Sequence, residues 1–167
     1  VWDPVRENFE HHCYAFLVSN GTAAHPLALA QPCQHFHSII CHQFAHIHTD
    51  ECGGPEFFTK GSKLISMGGA NGKLNLAQLE AAMAKPSDFH SHKPRAISAT
   101  QATEFGTVYT IDELRAIAEF ARPRSLRFHV DGARFANAVP AAGWGQKTSS
   151  WPEGVGVGGD DRGWGGG

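Results

Sequence analysis

An α/β fold built on a mostly parallel sheet is the architecture that the amino-acid sequence predicts, on three observations. Short apolar runs of strand length alternate along the chain with helix-length stretches that carry one apolar face. The connections between them are short, which suits helices lying on the faces of a parallel sheet and right-handed crossovers. The clearest strand, Leu126 to Val130, stops directly at Asp131, Gly132, Ala133 and Arg134, so two charges stand where an open α/β sheet binds its ligands.

Taken in order, Val1 to His12 sets Val5 and Phe9 at helical spacing and predicts a short amphipathic helix. Tyr14 to Val18 is continuously apolar and predicts a strand buried on both faces. Ser19 to Thr22 predicts a turn, and TAAHPLALA a helix with Pro26 in its first turns, where a missing N–H costs least. Strand, glycine turn and helix N-terminus together present free backbone N–H groups to an anion, the outline of a phosphate cup. Ser38 to Cys41 is the next strand, followed by the densest polar cluster of the chain, HQFAHIHTDEC. Lys63 to Met67 is a third strand and Gly68 to Lys73 a turn. Leu76, Leu79 and Met83 then recur at helical spacing behind the N-cap Asn75, until Lys85 and Pro86 stop the helix.

Arg95 to Ala99 predicts a fourth strand, left by the loop TQATEFGT. Thr110 and Glu113 form a capping box for a helix whose apolar face is Leu114, Ile117, Ala118 and Ala121, and Arg122 with Pro123 ends it. In the strand that follows, Leu126, Phe128 and Val130 point one way, Arg127 and His129 the other. Gly154 to Gly167 is mostly glycine without apolar periodicity; such a stretch cannot bury enough surface to offset its ordering entropy, and a frayed, disordered tail is expected. It contains GVGVGG, formally a dinucleotide-binding pattern, but Asp160 and Asp161 follow in place of a helix.

The chain has 167 residues, one domain's worth, and 41% are hydrophobic, enough for a core. Fourteen Lys and Arg against sixteen Asp and Glu give a formal net charge of −2 with no basic block, which argues against a nucleic-acid partner. No apolar run approaches the roughly 20 residues of a spanning helix, and no signal peptide opens the chain, so the expected setting is cytoplasmic with no membrane partner. Cys13, Cys33, Cys41 and Cys52 lack CxxC spacing and are expected as reduced thiols. Because Val1 rather than Met opens the sequence, the true start is expected upstream.

Three groups fall on loops that leave strands: Gly21 with Thr22, the histidines around His46, and Asp131 with Arg134. In a parallel sheet they converge on one edge. A buried Asp131 needs a cationic partner, and a structural salt bridge to Arg134 is the plain alternative to a catalytic role. A different class of function is open to the histidines, since His35, His37, His42, His46, His48 and Cys52 could form a metal-binding module. His42 and His46 are four apart, which on a helix sets both on one face, although the Glu of an HExxH motif is missing.

The strings NGTAA, CHQFAHIHTDECGGPEFF, ISATQATEFGTVYTIDEL and HVDGARFANA together resemble the pyridoxal phosphate-dependent β-eliminating lyases of the threonine aldolase type, in particular the low-specificity threonine aldolase and phenylserine aldolase branch. The resemblance runs from about Arg6 to about Gly154. It implies a partial three-layer sandwich, the large domain of the fold type I pyridoxal phosphate enzymes, over residues 1–153, with the small C-terminal domain absent. Gly21, Thr22 and Ala23 match the turn that holds the cofactor phosphate, His46 the histidine over the pyridine ring, and Asp131 the acid paired with the ring nitrogen. Arg134 matches the cation near the ring hydroxyl and the substrate carboxylate. Glu104 stands where many relatives carry a second catalytic-site histidine, which makes it the candidate base. His25 and Pro26 depart from the usual Asn and small residue.

The implied activity is cleavage of β-hydroxy-α-amino acids such as threonine or phenylserine to glycine and an aldehyde, in a protein that assembles as a homodimer or homotetramer. The segment that should carry the Schiff-base lysine reads VGGDDRGWGGG, with Trp164 near that position, and none of Lys60, Lys63, Lys73, Lys85, Lys93 or Lys147 lies in the right context. The chain itself is therefore expected to be an inactive fragment.

Overall fold

The computed structural model describes residues 16–84, 88–134 and 138, and the backbone of 155–158. Five strands form one parallel sheet: β1 (His37–His42), β2 (Lys63–Met67), β3 (Lys93–Thr100), β4 (Arg127–Asp131) and β5 (Val155–Gly158), in the order β2-β1-β3-β4-β5. Among the described residues they are accompanied by the helices α1 (Gly21–Ala30), α2 (His46–Thr49), α3 (Gly54–Phe58), α4 (Leu76–Met83) and α5 (Ile111–Ala121).

The period-2 alternation of the central strands sorts their side chains into two cores. Ile40, Ile97, Ala99, Phe128 and Val130 belong to the core that α4 and α5 close with Leu79, Ala82, Leu114, Ile117 and Phe120. Ile39, Cys41 and Ala96 belong to the other, closed by Leu29 of α1, Cys33, Ala45 and Ile47. Helices thus cover both faces, as a parallel sheet requires. Each fully buried Leu or Ile contributes about 1.5–3 kcal/mol relative to exposure.

The helix signals act through their caps. Asn75 and Gln78 form a reciprocal capping box on α4, and Thr110 and Glu113 another on α5. The expected apolar face of α5 is buried throughout. In α4, Leu79 and Ala82 fill the core while Leu76, at the first turn, stays 41% exposed, because the helix meets the core only from its second turn onward. Arg122 to Arg124 continues α5 as a 3-10 turn, and Ser125 in the left-handed region (φ 56°) then redirects the chain into β4. The fourth strand is longer than predicted: Pro94 is accommodated at an irregularity in the pairing with β1, beside Ser38, where a missing donor disturbs the ladder least.

Two expectations are corrected. Phe16 to Val18 form no strand and are exposed, Phe16 at 76% and Leu17 at 80%. An apolar run becomes a buried strand only where a sheet edge receives it, and the outer edge of β4 is taken by β5. Conversely, Val155–Gly158, within the stretch expected to fray, pairs in parallel with Phe128 to Asp131. Pairing needs only backbone groups at an open edge and β-branched residues at period 2, both of which VGVG offers. The expected helix at 1–12, the stops at Lys85 and Pro86, and residues 159–167 of the glycine-rich stretch lie outside the described residues. Cys33, Cys41 and Cys52 are free thiols, the first two buried, and burial raises their pKa values to about 11 and about 12, which leaves them unreactive.

Tyr109 ties the loop after β3 to the turn before α4. Its Oη accepts the Leu74 N–H at 2.7 Å, and the Gln101 side chain holds both the N–H and the carbonyl of Tyr109, at 2.9 and 3.0 Å. Tyr109→Phe leaves a buried N–H without its acceptor. Urea unfolding is expected to show a loss of about 1–3 kcal/mol at unchanged m-value; a loss below about 0.5 kcal/mol would show that this bond holds nothing.

Candidate active site

The alternation that builds the second core also builds the site. Phe128 and Val130 of β4 point into the α4–α5 core, so His129 and Asp131 lie on the α1 side, and both are buried. His129 lies opposite Ser98 in the register with β3, and its Nδ1 is 2.9 Å from Ser98 Oγ. Asp131 ends the strand, and its Oδ1 accepts the Ala133 N–H at 3.0 Å. The face that carries His129 is covered by α1, and its ring meets the His25 ring edge-on at 5.7 Å.

His25 descends from α1, on the same face as Leu29 one turn later, and both are about 1% exposed. The helix begins at Gly21 under Asn20, whose side chain accepts the Ala23 N–H at 2.8 Å. Gly21 and Thr22 occupy the first two positions, where backbone N–H groups have no intrahelical acceptor. Pro26 lies in the second turn rather than the first, so the helix also forgoes one interior hydrogen bond there. Its ring meets α3 closely: a Cβ on Gly54 would stand 3.4 Å from Pro26 Cγ.

The segment after β1 supplies the remaining groups. Gly53, in the left-handed region at φ 76°, turns the chain from α2 into α3 and leaves Glu51 buried in the bend. Glu51 Oε1 lies 3.0 Å from His25 Nδ1 and 3.4 Å from His46 Nε2. His25 Nε2 lies 3.2 Å from Asp131 Oδ1, an ion-pair contact off the line of a hydrogen bond. His46, 36% exposed at its side chain, opens the group to solvent, with its ring 6.2 Å from that of His25. Arg134 turns to Glu104 in a bidentate pair at 2.9 and 2.7 Å, and its Nη1 also reaches the Ala102 carbonyl at 3.4 Å.

Of the residues singled out in the sequence, His46 and Asp131 are brought together through Glu51 and His25, beneath the helix that Gly21, Thr22 and Ala23 begin. Arg134 and Glu104 form a separate pair, so Asp131 takes its cation from His25 and not from Arg134. His42 and His46 share no helix: His42 ends β1, its Nε2 3.2 Å from the Gly69 carbonyl and its Nδ1 accepting the Phe44 N–H. His37 Nδ1 accepts the Gln34 N–H, and His48 Nδ1 is engaged with the Gln43 carbonyl. Among the described residues no cluster of three or more His, Cys, Asp or Glu is placed to hold a metal ion, because a strand end and a helix start, not one helix face, carry the two histidines.

The charges follow from this packing. Burial disfavours the imidazolium of His25, but Asp131 and Glu51 outweigh it and raise its pKa above the ordinary 6.5. Burial likewise disfavours the Asp131 carboxylate, and the His25 contact outweighs that, holding its pKa below the ordinary value. His129 has no carboxylate contact sufficient to offset its burial, and with the charge of His25 adding to the effect its pKa falls to about 4. It is a neutral imidazole between two charged neighbours.

The sequence profile of the family described as Beta-eliminating lyase matches residues 2–152. The chain belongs to that family. It is 48% identical to the low specificity L-threonine aldolase of Pseudomonas aeruginosa over 155 residues, 93% of this chain and 45% of the relative. With the enzyme of the same name from Escherichia coli it shares 34% over 129 residues, 77% of this chain and 38% of the relative. The chain thus spans about half or less of the length of these curated relatives. Among solved structures, the Leishmania major threonine aldolase superposes with a TM-score of 0.69 at 31% identity, over 72% of this chain and 35% of that one. An aromatic aminotransferase from Pyrococcus horikoshii, 15% identical, superposes at 0.64 over 80% of this chain and 35% of that one and shares the fold alone. The fold of this β-eliminating lyase chain is that of the type I pyridoxal phosphate enzymes.

His25, Glu51, His129 and Ser98 were not picked out as site residues from the sequence. His25 stood out only as a departure from the family pattern, although its spacing to Leu29 marks the inward face of α1; Glu51 was submerged among the histidines around it.

These shifts have opposite consequences for stability. Groups whose folded pKa is depressed, Asp131 and His129, contribute above their unfolded values and lose that contribution as pH falls through the folded ones, for His129 between 6.5 and about 4. His25, whose folded pKa is raised, contributes fully below 6.5 and loses that contribution as pH rises through its folded pKa. A stability maximum near pH 6.5 is expected in urea titrations, and His25→Asn should remove the alkaline decline and also diminish the Asp131 part of the acid one, leaving the part that comes from the burial of His129. An alkaline limb unchanged in His25→Asn would contradict the assignment.

Proposed function

We propose that this β-eliminating lyase chain is the cofactor-binding part of a pyridoxal phosphate-dependent aldolase that cleaves β-hydroxy-α-amino acids, threonine and phenylserine among them, to glycine and an aldehyde. The observation that carries the reading is Asp131: a carboxylate buried to 1% exposure, kept ionised, at the carboxyl end of β4 and beneath the start of α1. An ionised acid at that depth is matched to a cationic ring nitrogen. Its Oδ1 is engaged by Ala133 and His25, while Oδ2 carries no hydrogen bond among the described residues.

The residues present fit the group. Gly21 and Thr22 would hold its phosphate at the start of α1, with Ala23 bound back to the cap Asn20, Asp131 Oδ2 would hold its ring nitrogen, and His46, 36% exposed at its side chain, would lie against the ring. When bound, the cofactor supplies an electron sink for the pair left when the bond between Cα and Cβ breaks. His46, with Nε2 on Glu51 and Nδ1 3.5 Å from Asp50, can move a proton at the ring face. Arg134 is the group suited to a substrate carboxylate, which would take the place that Glu104 holds in the bidentate pair. Glu104, released by that exchange, is the candidate base.

The whole protein's assembly as a homodimer or homotetramer belongs to the same proposal, supported by the exposure of Phe16, Leu17 and Phe57. So does a cytoplasmic setting; no helix among the described residues is long and apolar enough to cross a membrane.

Absorbance titration of the chain with pyridoxal phosphate tests the reading. Saturable, reversible binding is expected, weakened about tenfold or more in Asp131→Asn, which corresponds to about 1.4 kcal/mol. Borohydride reduction should label exposed lysines such as Lys60 substoichiometrically. Equal binding by Asp131→Asn would remove Asp131 from the site, and one lysine labelled to completion would show that the chain carries its own attachment point.

A further inference from the structure

His25 joins two elements that carry buried acids, and the reaction proposed above uses only one of those acids directly. From the elements packed around it, four titratable groups face His25 among the described residues: Glu51 and His46 from the segment between β1 and α3, and His129 and Asp131 from β4. Glu51 and His25 each expose 2% or less of their side chains and Asp131 1%, so no water competes for these contacts. Both ring nitrogens of His25 lie close to carboxylate oxygens, Nδ1 3.0 Å from Glu51 Oε1 and Nε2 3.2 Å from Asp131 Oδ1, and only the doubly protonated imidazole presents a positive N–H to both. His129 cannot share the task, because its Nδ1 is engaged by Ser98 and its ring meets His25 edge-on.

We propose that His25 is a positioning residue for Asp131: clamped as an imidazolium by Glu51, it holds Oδ1 of Asp131, keeps that carboxylate ionised, and leaves Oδ2 to receive a protonated heteroaromatic nitrogen. The effect runs as a relay. Glu51 stabilises the charge on His25, and that charge stabilises the anion of Asp131. Removing His25 leaves Asp131 buried without its cation, and such a carboxylate takes up a proton; removing Glu51 lowers the pH up to which His25 keeps its charge. The relevance to catalysis rests on the reading of Asp131 as the partner of a pyridine ring nitrogen; the hold of His25 on Asp131 does not.

The test uses the 167-residue chain with carbon-13 labelled Asp carboxyls, observed by NMR across pH, in the wild type and in His25→Asn, His25→Gln and Glu51→Gln. In both His25 variants the Asp131 midpoint is expected to rise by roughly 1–3 pH units. In Glu51→Gln the His25 midpoint should fall, while Asp131, which titrates against a still-charged His25, should keep a midpoint well below that seen in the His25 variants, a split that a merely structural histidine would not produce. A second arm adds pyridoxamine 5′-phosphate carrying nitrogen-15 in its ring, a probe that needs no lysine. The wild type should bind it with the ring nitrogen protonated, and His25→Asn should bind it about tenfold more weakly per unit by which the Asp131 midpoint has risen. An Asp131 midpoint that stays in place in every folded His25 variant overturns the proposal. A midpoint that moves, in a wild-type chain that does not bind pyridoxamine 5′-phosphate, upholds the role of His25 and overturns the cofactor reading instead.

Discussion

Two carboxylates from different elements, Glu51 and Asp131, are buried within reach of one imidazole, and the placement of the site depends on that contact. A buried carboxylate without a cation is costly, and here one ring serves two. Because His25 is the group that serves them, α1 must lie with its inner face on β4 and beside the bend that holds Glu51. That in turn sets the start of α1, with Gly21 and Thr22, above the carboxyl edge of the sheet. The N-terminal end of a helix and the ionised acid of a strand are thereby held in one arrangement by a single side chain.

The rest of the fold makes this possible by keeping the two faces of the sheet chemically different. The α4–α5 face supplies the larger apolar core. The α1 face is apolar only toward Ile39, Cys41 and Ala96, and becomes polar along Ser98, His129 and Asp131. A polar network on one face can be tolerated because the other face supplies the larger share of hydrophobic stabilisation. Arg134 and Glu104 differ in kind from this network: both are partly exposed, so exchange of partners between them costs little, whereas the buried trio is rigid.

Where periodicity alone decides, the sequence was legible. The N-cap at Asn75, the capping box at Thr110, the apolar face of α5 and the strands at Ser38, Lys63, Arg95 and Leu126 follow from local pattern, and the structure forms each of them. What failed is what depends on partners distant in sequence. Phe16 to Val18 reads as a strand, but no sheet edge receives it; VGVG at 155–158 reads as frayed, but the edge of β4 does. The alternation along β4 sets His129 opposite Phe128 and Val130, and the packing of α1 on that face is what buries it. The sheet edge on which the candidate residues gather was legible from Asp131 at the end of β4 and His46 on the segment that leaves β1. The cation that serves Asp131 was not, because Arg134 is three residues away in sequence while His25 is brought in by tertiary structure.

The dependence of the site on one ion pair is measured most directly by a double-mutant cycle between His25→Asn and Asp131→Asn, read as unfolding free energies at pH 6.5 in urea. A coupling of about 1.5–3 kcal/mol is expected, with the double variant less destabilised than the sum of the single ones, since removing both partners leaves no orphaned charge between β4 and α1. Additivity within about 0.5 kcal/mol would show that His25 and Asp131 are neighbours without being partners, and that something other than this contact holds α1 on the sheet.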